Sequence, residues 1–131
     1  ISALRDVQQR FRKAVETKTS RDMAILNHRF HETIGEMAGS PYLTPSLKRL
    51  LIDHTRMGQT FYTATTKADG QRISTASDQH DAMIDALEKH EAARAVALTL
   101  DHWALSRERM EHYVRPDPLP INPESEVRDA V

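Results

Sequence analysis

The sequence predicts an all-α protein, an antiparallel bundle of about five to six helices with a metal site in its core. Three observations carry that expectation. Only four glycines and 5% aromatic residues supply a strand-rich fold poorly. Apolar residues recur at helical spacing from Ile1 to about Val114. Three histidines, His31, His80 and His102, each stand in the apolar stripe of a different predicted helix. Imidazoles pointing inward from several helices are what a buried divalent metal requires, because its ligands must converge from different directions.

The helices follow in order. The first carries Ile1, Leu4, Val7, Phe11 and Val15 on one side and ends in the polar Glu-Thr-Lys-Thr-Ser. Ser20 or Asp22 is a candidate cap for the second, which carries Ile25, Leu26, Phe30, Ile34 and Met37. Gly39 suits a left-handed C-cap and Pro41 prevents continuation. From about Thr44 a third, long helix sets Leu47, Leu50, Leu51, His54, Met57 and Phe61 on one face. Residues 63–72 read as a loop. A fourth helix starts near Ser74–Ser77 with His80, Met83, Ile84 and Leu87 on its stripe. After a break at Lys89-His90-Glu91, the fifth runs to Val114, with His102, Leu98 and Leu105 on one side. Four of the six prolines fall beyond Val114, so residues 116–131 read as an extended or disordered tail after a single domain over residues 1–115.

A chain of 131 residues can bury a real core as one domain. Its net charge of -1, with no Lys/Arg block, argues against this segment holding nucleic acid by itself. The absence of cysteine excludes disulfides, thiolate nucleophiles and cysteine-type zinc sites, and fits a reducing cytoplasm. No apolar run approaches the ~20 residues of a membrane span. Ile1 opens an amphipathic, charged stretch rather than a signal peptide, and its not being Met points to a fragment of a longer protein.

At 100° per residue Asn27 and His31 fall about 40° apart on the same helix face. Each of the three histidines occupies a position where a hydrophobe would stabilise more, and an unpartnered buried imidazole costs about 1–3 kcal/mol. One such histidine is ordinarily bonded to a backbone carbonyl. Three on three helices point to a shared function. His54 also occupies an inner face, between Leu50 and Met57, whereas His28, His90 and His112 lie at edges or breaks.

The stretch Asn-His-Arg-Phe-His-Glu-Thr-Ile-Gly-Glu-Met-Ala-Gly-Ser-Pro-Tyr-Leu resembles the Asp-x-x-Phe-His…Ala-Gly-Asn-Pro-x-Leu signature that opens the metal-binding part of the FCD domain. That is the effector-binding C-terminal domain of FadR-type GntR transcription regulators. Asp-Gln-His-Asp-Ala-Met-Ile-Asp-Ala-Leu resembles a later family stretch, and Leu-Thr-Leu-Asp-His-Trp its last metal histidine. The separations, 49 residues from His31 to His80 and 22 to His102, fit as well. The resemblance implies metal ligands at Asn27, His31, His80 and His102, with Asn27 standing where the family carries aspartate. It further implies a divalent transition metal, foremost Zn with Ni, Mn or Fe as alternatives, and a small organic-acid effector bound by its carboxylate. His54 and Arg109 are the candidate effector contacts. A homodimer in the cytoplasm is implied, not an enzyme, with DNA bound only through a winged helix-turn-helix domain absent from this sequence, as is an initial helix of the domain.

Two other classes compete. Adjacent His80 and Asp81, with Asp101 later, raise an HD-type metal hydrolase, yet Asp81 is turned about 100° from His80 on the helix wheel. The zincin pattern fails because Gly35 stands where the second histidine belongs. A metal-free helical interaction module, whose histidines only pack, is the third.

Overall fold

The computed structural model describes residues 1–114, with side chains as far as Arg107. The proline-rich residues 116–131 and the side chain of Arg109 lie outside the described residues. Five α-helices follow one another: α1 (Ser2–Glu16), α2 (Ser20–Ala38), α3 (Leu43–Phe61), α4 (Lys67–Glu88) and α5 (Ala92–Val114). No strand occurs among the described residues, and none of their helices is long and apolar enough to cross a membrane.

Helix ends explain the short connections. Both α1 and α4 close in the same way, with a residue at positive φ, Lys18 (φ 54°) and His90 (φ 57°). In each, the next amide reaches back to a carbonyl one turn inside, Thr19 N to Ala14 O and Glu91 N to Ala86 O. Gly39 ends α2 at φ 62°, the left-handed cap expected of it. The N-cap of α2 is Thr19, without a side-chain cap bond, rather than Ser20 or Asp22.

The start of α4 corrects the sequence reading. Residues 67–72 are helical, not loop, because Thr66 and Asp69 form a reciprocal capping box. The Thr66 hydroxyl accepts from the Asp69 amide at 3.1 Å, and the Asp69 carboxylate accepts from the Thr66 amide at 3.0 Å.

Packing joins the helices into a closed ring. α2 lies against α1 and α3, α4 against α1 and α5, and α5 completes the circuit on α3, the sparsest seam. Gly35 lets the Leu47 side chain of α3 lie directly on α2, since a Cβ there would fall 2.2 Å from Leu47 Cδ2 and the leucine would have to turn away. Two apolar clusters fill the ring. One gathers Phe11, Ala14, Met23, Leu26, Phe61 and Ile73, and the other Leu4, Phe30, Met83 and Ile84. His80 touches both, with ring centroids 5.0 Å from Phe11 and 3.9 Å from Phe30. A polar layer therefore lies across the core.

Candidate metal centre

Asn27 and His31 project from α2, His80 from α4 and His102 from α5, so three helices supply the layer. One potential ligand atom from each of His31, His80 and His102 lies within 4.8 Å of the others. His80 Nε2 and His102 Nε2 are 3.3 Å apart. Asn27 is 1% exposed, and its Oδ1 is the one deeply buried side-chain polar atom without a hydrogen-bond partner among the described residues.

Glutamines outside the cluster contact two of the rings. His80 Nδ1 lies 3.0 Å from Gln8 Oε1, and His102 Nδ1 lies 3.0 Å from Gln79 Oε1. The Gln8 amide is fixed, because its Nε2 donates to the Ser77 carbonyl and to Asp81, so Gln8 Oε1 accepts, His80 Nδ1 carries the hydrogen and His80 Nε2 presents a lone pair. That lone pair faces His102 Nε2 at 3.3 Å. Asn27 Oδ1 is a further buried acceptor without a donor. Protonation is not the remedy at neutral pH. Burial drives His31 down to about 3, with His102, His54 and His28 adding to the effect. Burial, then His54, takes His102 to about 4. His80 is pushed well below its ordinary value by burial and by its two histidine neighbours. A concavity of neutral acceptors that resists protons fits a metal cation.

Aromatic rings fix the imidazole planes. Phe30 stacks on His80 with an interplanar angle of 13°, and meets His31 edge-on at 5.5 Å. His54 lies on the α3 side, its ring centroid 6.5 Å from that of His31. It lines a cavity of about 10 Å³ with Met57, Gly58, Phe61, Tyr62 and Ser106, room for about one water. His28 is tied to α3 instead, Nδ1 lying 2.7 Å from Thr55 Oγ1.

The aspartates of the hydrolase alternative stand elsewhere. Asp81 is held by Gln8 and by Arg12, and Asp101 is exposed. The sequence reading passed over Gln8, although it shares the buried face of α1 with Leu4 and Phe11. The signal was available, a polar residue inside an apolar stripe.

Ligand-type atoms from α2, α4 and α5 thus meet in the order and spacing that the resemblance requires. The FCD-domain family model matches residues 1–105. The chain belongs to the FCD family. No curated protein and no solved structure matches it. FCD domains are effector-binding domains of GntR-type transcription regulators, so the ring of helices is the scaffold of such a domain.

Proposed function

We propose that this FCD domain binds one divalent transition metal through Asn27 Oδ1, His31, His80 and His102, and uses it to sense a small carboxylate. The observation that carries this reading is the convergence of ligand atoms from His31, His80 and His102 within 4.8 Å of one another, with the buried, unpartnered Asn27 Oδ1 one turn before His31 on α2. Imidazole-rich ligation favours Zn, with Ni, Mn or Fe as alternatives, over Ca or Mg. The metal would supply a Lewis-acid centre for one carboxylate oxygen. All four protein ligands are neutral, so the full dipositive charge remains to attract an anion.

His54 lines the small cavity on the α3 side and is the candidate donor to the effector's second oxygen. At about 10 Å³ that cavity admits no organic acid as it stands. In this reading effector entry parts α3 from α5, whose seam is the sparsest among the described residues. That packing change is the signal the domain would transmit. Arg109 is a second candidate contact. In this reading the domain is a sensor and not a catalyst, acting as a cytoplasmic homodimer whose DNA contacts belong to a winged-helix domain.

The test is the metal content of protein purified without chelator or metal-affinity tag. About one transition metal per chain is the expected result, followed by a thermal-shift response to carboxylic acids. No metal after reconstitution with Zn, Ni, Mn or Fe would sink the reading.

A further inference from the structure

The buried face of α1 comprises Leu4, Gln8, Phe11 and Ala14, and Gln8 is its single polar member at 2% exposure. Its amide cannot be turned round. Nε2 donates to the Ser77 carbonyl at 2.9 Å and to Asp81 Oδ2 at 3.1 Å, with Ser77 Oγ also within 3.3 Å. A backbone carbonyl and a carboxylate only accept, so the NH2 group must lie on that side. Oε1 is left facing His80 Nδ1 at 3.0 Å. Asp81 is itself anchored by Arg12, one turn beyond Gln8 on α1.

A neutral imidazole has two tautomers, and the other one would disable this site. With the hydrogen on Nε2, His80 would donate directly to His102 Nε2 at 3.3 Å. The pair would satisfy itself, and a metal would first have to displace that proton. We propose that Gln8 is a positioning residue, which holds His80 as the Nδ1–H tautomer and keeps its Nε2 lone pair aimed into the acceptor cluster. Gln8 touches neither metal nor effector and acts through His80 alone. The geometry stands by itself, while its consequence for metal affinity rests on the metal-site reading above.

Two variants of the full chain test it, the near-isosteric Gln8→Met and the shorter Gln8→Leu, each of which removes the acceptor that faces His80. Nitrogen-15 NMR of histidine-labelled, metal-free protein reports the His80 tautomer, and Zn²⁺ competition with a chromogenic chelator reports affinity. Wild type is expected to show Nδ1–H. Both variants are expected to shift toward Nε2–H and to lose roughly tenfold or more in Zn²⁺ affinity. Wild type with Nε2–H overturns the proposal, as does a folded variant with unchanged tautomer and affinity. Should Gln8→Met fail to fold, Gln8→Leu is read in the same way. Nδ1–H in a wild type that takes up no Zn²⁺ upholds the positioning role and removes only the metal reading.

Discussion

His80 Nε2 and His102 Nε2 face each other at 3.3 Å, and the second nitrogen of each ring is already committed to a glutamine oxygen. The anchored Gln8 amide makes His80 Nε2 an acceptor, facing a histidine 22 residues further along the sequence. A cation between the two nitrogens would draw a lone pair from each ring.

Acid is expected to destabilise the metal-free protein. His31 titrates near 3 and His102 near 4 when folded, against about 6.5 unfolded. The unfolded chain thus binds more protons across that window, so stability is complete above about pH 7 and falls as pH drops toward about 4. Each pKa unit corresponds to about 1.4 kcal/mol, which makes the His102 share on the order of 3 kcal/mol by about pH 4. Urea unfolding across this range measures the slope, and His102→Phe should flatten it. An equal slope in the variant would mean that His102 is not held neutral by the fold.

Phe30 is completely buried and stacked on His80. Phe30→Ala opens a cavity and should cost roughly 3–5 kcal/mol in stability. Phe30→Leu keeps most of the volume but frees the imidazole plane, so its loss should be nearer about 1 kcal/mol. The two variants separate packing from orientation. If the ring orients His80, Phe30→Leu should still lower Zn²⁺ affinity severalfold in a competition titration. Unchanged affinity would reduce Phe30 to a space filler.

The elements that could be read from the sequence were those whose cause is local. The apolar stripes of α1 to α3, the cap at Gly39 and the break at Lys89-His90-Glu91 follow from spacing and backbone preference alone. The start of α4 was missed because Thr-Lys-Ala-Asp-Gly-Gln-Arg carries no large apolar residue and so no stripe. There the capping box, not periodicity, nucleates the helix. Burial was less legible. Ile25 is 45% and Leu50 67% exposed although both sit on apolar-looking stripes, since periodicity does not say what covers a face. The histidines stood out as polar rings among hydrophobes, and Asn27 came with His31. Gln8 is 69 residues from Ser77 and 72 from His80, so only the pairing of α1 with α4 shows its role.

Thr66→Ala offers a control that destabilises without touching the site. Loss of the Thr66 hydroxyl leaves the Asp69 amide without its cap and should cost about 0.5–2 kcal/mol. His80 lies 14 residues further along α4, roughly 20 Å by helix rise. Zn²⁺ affinity should therefore stay at the wild-type value while the thermal midpoint falls. A drop in both would show that metal affinity merely tracks global stability, and the Phe30 comparison would then need that correction.

Asn27 gives the sharpest reading of the ligand set, because its Oδ1 is buried with no donor. As a direct ligand it contributes an oxygen but no charge. Asn27→Asp should then raise Zn²⁺ affinity roughly tenfold or more through Coulomb attraction. The same change should weaken the metal-free protein, where the carboxylate would be buried without a donor. The separation between metal-free and metal-loaded thermal midpoints therefore widens from both ends. Asn27→Leu should do the opposite. Removing the orphaned acceptor leaves the metal-free protein no less stable, while Zn²⁺ affinity falls. Chelator competition and paired melts measure both quantities. If Asn27→Asp leaves the affinity unchanged, the amide is not a ligand, and the metal is held by His31, His80 and His102 alone.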